Sequence, residues 1–510
     1  MRFGIPLIAL FLTTVPASAQ LAIRPDVHLS PLRLNSPVPE ERPVSVDNSR
    51  LPYFPEIISQ YGGSCAQASA IHYLFTYEMN RVLERAVEDK AANTFSYRYI
   101  WHFLNDGGNN GGFSSDGIEI TRAAGCMTVS DYGSELDNYY RWPSGYAKYY
   151  NAMHYRTRKM YTVDLSTRQG IETLMDYMAD KHDGHPGGGM AGFSLTGDWS
   201  IDDYYGPSET GLKDIIVLRG SGGAHAMTFV GYDQSVEYDC NRDGVIQDNE
   251  KGAFILVNSW GTWWGTDGFA YMPFSYYLNA ADEGGLSQND RSALCIETEY
   301  HEPGIAMGVK LNYTSRNDLI LRFGVADGAQ ATEPAPGTVL DCPIVRAQGG
   351  DLMMQGTYFD SAKNIEMGFD LSAAKAAADT MKAPCWFLTV IKIISGKPGE
   401  GYVSEVSLHD YSSGKDSTIT RQFDEVSGKI SMTKNFKVPT RPWFKNAYGE
   451  WYEPVRTSAN PLAESADNMK AYSWRNIYGI RRSDGGYAKV KVRNYDSGSR
   501  RITLDIANYE

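Results

Sequence analysis

The chain has 510 residues, too many for one compact core and enough for two or three domains. Its 42% apolar and 12% aromatic content is that of a folded globular protein, not of a disordered or fibrous chain. A formal charge of −13 argues against nucleic acid as a partner, because holding phosphates takes a basic surface.

The N-terminus carries Arg2, an apolar run from Ile5 to Val15, and Ala17-Ser18-Ala19. That pattern predicts a cleavable signal peptide over residues 1–19 and export, with periplasm, cell surface and medium equally permitted. The run is too short to span a bilayer and no later stretch is apolar enough, so no transmembrane segment is expected. Residues 20–50 hold five prolines and no hydrophobic periodicity, which reads as an extended leader.

Gln60-Tyr-Gly-Gly-Ser-Cys65 comes next. Gly62 and Gly63 allow a tight backbone path, Ser64 suits an N-cap, and Ala68, Ile71, Leu74, Phe75, Met79 and Val82 recur at helical spacing. The spacing predicts a loop running into a helix, with the Cys65 sulfur on the first turn, where free amides and the helix dipole favour a thiolate. His225 opens a strand-like run, Ala226-Met-Thr-Phe-Val230, after Gly222-Gly223. Asn258 lies in Asn258-Ser-Trp-Gly-Thr-Trp-Trp-Gly265. A thiol needs a base, and the base needs a group to fix its tautomer; these segments supply one of each. His72 is expected to pack within the helix, and His182 and His185 fall in a Gly-rich loop with no ligand pattern to complete a zinc site.

These three signatures resemble those of papain-like cysteine peptidases over roughly residues 51–300. The most specific is Asn258-Ser-Trp260-Gly followed by Trp264-Gly and Gly268-Phe. The resemblance implies that Cys65 is the nucleophile, His225 the base, Asn258 its orienter, and that Trp260 shields the His225–Asn258 hydrogen bond. It also implies that the Gln60 amide and the Cys65 backbone N–H form the oxyanion hole, although Gln60 is one residue closer to Cys65 than the family's spacing. Asn109-Asn110-Gly111-Gly112-Phe113 is similar to the family's glycine wall, so Gly111 and Gly112 are expected to pair with substrate backbone and Ala226 to line a specificity pocket. The family carries two half-cystines, bonded to each other, where this chain has Gly62 and Asn109; both are absent together.

Between His225 and Asn258 lies Asp239-Cys-Asn241-Arg-Asp243-Gly-Val245-Ile-Gln247-Asp-Asn-Glu250. Asp239, Asn241 and Asp243 supply oxygen ligands at positions 1, 3 and 5. Gly244 follows at position 6, the Val245 carbonyl at 7, Gln247 at 9 and Glu250 at 12, which matches an EF-hand calcium loop. A structural calcium is expected, stiffening the connection between His225 and Asn258, with no cofactor needed for catalysis. Of the six cysteines, Cys342 and Cys385 are the pair expected to bond, since both lie in the C-terminal region.

Beyond residue 300 alternating runs at 318–324, 386–393 and 487–493 are separated by Gly, Asp and Ser turns. Only Leu371–Met381 reads as helix, and Asn494–Ser499 as a hairpin connection. The expected architecture is α+β: a two-lobed papain-like domain (helical lobe plus β-barrel-like lobe) over 51–300, a β-sandwich over 301–440, and a smaller β extension over 441–510. Trp443, Trp451 and Tyr452 hint at a binding face, leaving a surface or carbohydrate ligand open for this region. The reading is an exported peptidase acting on peptide or protein substrates. Its rivals are a catalytically silent binding module and a thiol acyltransferase on the same fold.

Overall fold

The computed structural model describes residues 22–34, 41–133, 140–328, 330–393, 399–414 and 416–440. Beyond these it describes the strand backbones at 444–445, 451–452, 455–456, 477–481, 487–496 and 501–509. The expected signal peptide and Trp443 lie outside the described residues, as do the side chains of Trp451 and Tyr452. The chain divides into two compact units. The first holds residues up to Glu302 together with Thr314–Asn317 and Pro343–Ile365; the second holds the remainder.

The first unit is mixed α+β. Its helical lobe is built on a continuous helical run, α-helical at Cys65–Gln67, π-helical at Ala68–Phe75 and α-helical at Thr76–Val82. Ala68, Ile71, Leu74, Phe75 and Met79 are fully buried, and so are the polar Ser69, Thr76, Glu78 and Arg81. A helix covered on all sides must satisfy its polar side chains internally. Glu78 does so through Lys181, 2.8 Å away, and Arg81 through Asp183 at 2.9 Å. Helices Tyr97–Leu104, Ser114–Ala124 and Tyr146–Met153 complete this lobe.

The other lobe is one eight-stranded sheet. In chain order its strands are β1 (Ser30–Pro31), β2 (Ser45–Asp47), β3 (Tyr155–Asp164), β4 (Ala191–Asp203), β5 (Asp214–Glu237), β6 (Lys251–Val257), β7 (Phe269–Pro273) and β8 (Ser292–Tyr300). The spatial order is β1-β3-β8-β4-β5-β6-β7, with β2 on β5, and β7 returns to meet Ile215 of β5, curling that end into a closed barrel. Phe193, Phe229 and Phe254 stack inside it, and Ile171, Leu174 and Met178 of the helix Arg168–Ala179 cover it. The described parts of the leader are not free-running: β1 pairs with β3 and β2 with β5, where short proline-flanked strands fit a sheet margin.

Two segments from beyond residue 302 are anchored in this first unit by a buried cation. Arg316 is fully buried, its guanidinium 4.2 Å over the Trp142 ring and bonded to the Gly349 and Tyr140 carbonyls.

Beyond residue 302 the strands form two four-stranded sheets with the orders β11-β10-β13-β16 and β12-β9-β14-β15. The strands are β9 (Ile305–Tyr313), β10 (Leu319–Asp327), β11 (Leu340–Arg346), β12 (Asn364–Asp370), β13 (Pro384–Lys392), β14 (Gly401–Asp410), β15 (Ser417–Gln422) and β16 (Lys434–Pro439). Phe323 of one sheet meets Phe369 of the other at 4.6 Å, the contact of a sandwich interior. The helix expected at 371–381 forms at Ser372–Asp379. Further on, antiparallel strands Tyr487–Asp496 and Arg501–Tyr509 form the expected hairpin. No disulfide joins any of the six cysteines. The Cys342–Cys385 pairing is therefore corrected: the two residues sit on β11 and β13, which lie on either side of β10, so a strand separates them.

Candidate active site

Cys65 begins the buried helical run, and its loop makes the abrupt entry the glycines foretold, with Gly62 at φ +64°. Ser64 does not cap the helix as expected; its hydroxyl donates to the Tyr61 carbonyl at 2.8 Å, tightening the loop instead. The run is stitched to the sheet on the face that carries Cys65. Ser69, four residues on, donates to the Met227 carbonyl at 2.7 Å, and Tyr73, eight residues on, donates to the Asn258 carbonyl at 3.1 Å. Sequence reasoning missed both residues, although a polar stripe at four-residue spacing on a buried helix was a usable signal.

His225 lies on β5 and Asn258 directly follows β6, strands that pair side by side. His225 Nε2 is 2.8 Å from Asn258 Oδ1, and that oxygen also accepts the Ser259 N–H at 2.7 Å. An oxygen that accepts from a backbone amide is fixed as the acceptor, so the hydrogen must sit on His225 Nε2 and the lone pair on Nδ1. This is the tautomer a general base needs. Asn258 Nδ2 is buried with no partner among the described residues.

Cys65, Ala66 and Ala226 form one buried cluster. Ala226 is fully buried, so it seats the sulfur and presents no open pocket surface, a correction to its expected role. Burial pushes the Cys65 thiol up to about 12, against the opposing pull of the Ala226 and Ala66 backbones. Burial also brings His225 down to about 4, opposed by the Asn258 bond.

Trp260 lies 4.6 Å from the His225 ring, as its expected shielding role requires. A second ring there was not foreseen. Trp199 stacks on His225 at 5.7 Å and on Trp260 at 5.4 Å. Its strand alternation is broken by register shifts at Thr196/Asp198 and Asp198/Trp199, beside Gly197 at φ +112°, and period-2 reading cannot follow a side chain across such irregularities.

Gln60 is fastened to the Asn258 segment: its N–H donates to the Ser259 carbonyl at 2.7 Å and its Oε1 accepts from Ser259 Oγ at 2.7 Å. One Nε2 hydrogen is taken by the Gly62 carbonyl at 2.7 Å, which leaves the other for an oxyanion. The glycine wall is tied to the helix start. Gln67 donates to the Phe113 carbonyl at 2.9 Å and Ser114 to the Ala66 carbonyl at 3.0 Å, while nothing crowds a Cβ position at Gly112.

The turn from Asp239 to Glu250 closes on itself. Asp239 accepts from the Gly244 amide at 2.8 Å, Asn241 from the Asp243 amide at 2.8 Å, and Asp243 from the Val245 amide at 2.9 Å. Glu250 accepts from Cys240 at 2.9 Å and from the Gln247 amide at 3.1 Å. Gly244, at φ +86°, makes the sharp turn at position 6. Among the described residues no three His, Cys, Asp or Glu side chains converge as a formed metal site. The donor set of carboxylate, amide and carbonyl oxygens nonetheless fits a hard cation.

The model of the papain family of cysteine proteases matches residues 206–282, a stretch that includes His225, Asn258 and Trp260 but not Cys65. Among solved structures the chain is similar to xylellain, a cysteine protease from Xylella fastidiosa, at 17% identity and TM-score 0.37, over 55% of this chain and 96% of that one. It is similar to procathepsin B S9 from Trypanosoma congolense at 15% identity and TM-score 0.37, over 56% and 87%. Bromelain from Ananas comosus matches at 16% identity and TM-score 0.32, over 50% and 99%. No curated protein matches the chain. Among the described residues no helix is long and apolar enough to cross a membrane.

Proposed function

We propose that this chain is an exported cysteine peptidase that hydrolyses peptide bonds through Cys65, His225 and Asn258. The observation that carries the reading is the His225 Nε2···Asn258 Oδ1 bond at 2.8 Å, with a tautomer that leaves Nδ1 as the base. Cys65 Sγ gives its proton to His225 Nδ1 and attacks the scissile carbonyl. The oxyanion takes the Cys65 backbone N–H and the second Gln60 amide hydrogen. The imidazolium returns its proton to the departing amine, and water then hydrolyses the thioester, assisted by the same ring. Gly111 and Gly112 pair with the substrate backbone. A structural calcium in the 239–250 turn is part of the same proposal and takes no part in the reaction.

One observation favours a second reading, a binding module without turnover: Cys65 is fully buried. Labelling the purified protein with an epoxide thiol probe, followed by peptide mapping, separates the two. Modification confined to Cys65 and lost in His225→Ala is the expected result. An unlabelled, folded protein would sink the peptidase reading.

A further inference from the structure

Residues 343–365 follow the peptidase region in sequence, yet they belong to the first unit. Within this strap, Gly349, Gly350 and Leu352 lie against the turn Asp106-Gly107, which leads into the glycine wall. The approach is backbone against backbone. A Cβ at Gly107 would stand 2.8 Å from Leu352 Cδ1 and 2.9 Å from the Gly349 carbonyl oxygen. One at Gly350 would stand 2.6 Å from the Asp106 carbonyl oxygen. Gly107 at φ +67° and Gly350 at φ +74° are both left-handed, so a side chain at either would be strained as well as in collision. The Asp106 carboxylate also accepts the Gly350 N–H.

The strap is itself firmly held. Leu352 is buried, its carbonyl accepts the Arg316 N–H at 2.9 Å, and the buried Arg316 guanidinium donates to the Gly349 carbonyl. From the turn, the connection to the wall is short. Asn105 Oδ1 accepts the Gly107 N–H at 3.0 Å, and the Asn105 carbonyl accepts from Asn110 Nδ2 at 3.1 Å. Asn110 immediately precedes Gly111 and Gly112. A close-packed chain of contacts passes a displacement along, because it has little free space to absorb one. No disulfide holds the wall, so its position depends on contacts of this kind.

We propose that Leu352 and Gly350 are positioning residues for substrate: the strap sets where the glycine wall stands, and with it the grip on the substrate backbone. The inference rests on the peptidase reading and deepens it. Cys65, His225 and Asn258 lie on other elements, so loosening the strap weakens the grip on peptide and leaves the thiol chemistry in place.

The test compares two reagents on the full chain. Iodoacetamide has no peptide part, whereas an epoxysuccinyl-leucyl-amide probe has a peptide backbone for the wall to hold. Second-order rates of Cys65 modification are measured for the wild type, Leu352→Ala, Leu352→Met and Leu321→Ala. The last removes an equally apolar buried side chain from β10 and controls for lost stability. Leu352→Ala should slow the epoxide about fivefold or more and iodoacetamide less than about twofold. Leu352→Met should recover most of the loss, and Leu321→Ala should leave the ratio of the two rates unchanged. Asp106 is exposed, so Asp106→Ala decides the matter if Leu352→Ala does not fold, with the epoxide alone slowed about twofold or more. A ratio that stays constant in these variants, or that Leu321→Ala shifts as much, overturns the inference and leaves the peptidase reading standing. A wild type that the epoxide leaves unlabelled fails that reading, and the inference with it.

Discussion

Asn109 Oδ1 accepts a hydrogen bond from the Gly63 N–H at 2.6 Å, bridging the nucleophile loop to the glycine wall. Papain-like peptidases join the matching loops by a disulfide between the positions of Gly62 and Asn109, and here a side-chain-to-backbone bond spans the same gap. Removing it in Asn109→Ala should lower stability by about 1 kcal/mol or less, the net worth of one partly solvated hydrogen bond. Peptide hydrolysis should suffer more, roughly three- to tenfold in kcat/KM, because loop position matters more than loop stability. Steady-state kinetics beside denaturant melts would show the split; equal, negligible effects on both would mean the bridge is idle.

Asn258 sets the tautomer of His225, so Asn258→Ala should cost on the order of 100-fold in kcat/KM, within the range of misplaced acid–base catalysis. Asn258→Asp keeps the acceptor and should recover much of that loss. Near-normal turnover in Asn258→Ala would show that the ring is oriented by something else.

Trp199 and Trp260 both lie against the His225 ring and keep water from it. Trp199→Ala should admit water and raise the low proton affinity of His225, moving the acid limb of the kcat/KM profile to higher pH with about a tenfold fall at its plateau. Trp199→Phe should restore most of both. An acid limb that stays in place would assign Trp199 to packing alone.

Burial brings His72 and His225 down to about 4 and His102 to about 3, from an ordinary value of 6.5. Below pH 6.5 the unfolded chain therefore binds protons that the folded chain refuses, and stability falls as pH falls. The loss should run from about pH 6.5 to about 3–4, at about 1.4 kcal/mol for each tenfold difference in proton affinity. Melts at fixed ionic strength would reveal it. A flat profile over that window would mean these rings are solvated in the folded protein.

Calcium should raise the melting temperature of the wild type, since a ligand at 100 times its Kd adds about 2.7 kcal/mol. A chelator should reverse the gain and Asp243→Ala should abolish it. Identical melts in calcium and chelator would leave the 239–250 turn as a hydrogen-bonded loop and nothing more.

Local chemistry was enough for part of this protein. Cys65 at a helix start, the strand carrying His225, the buried Ile71, Leu74 and Met79, the short helix near residue 372 and the alternating strands of the second unit all follow from spacing and turn residues. Those signals act over a few residues and survive whatever surrounds them. The leader's pairing with β3 and β5 was not legible, because a two- or three-residue strand has no periodicity of its own.

What only the tertiary structure decided are the contacts between segments far apart in the chain. Trp199 reaches His225 because irregular pairing between β4 and β5 re-aims its side chain, and pairing register is a property of two strands together. Arg316 and Gly349 pack with Trp142 because a buried guanidinium needs an aromatic face and carbonyls, which local sequence cannot bring to it. The upward shift of the Cys65 thiol and the downward shift of His225 likewise come from burial, a quantity that exists only once the chain has folded around them.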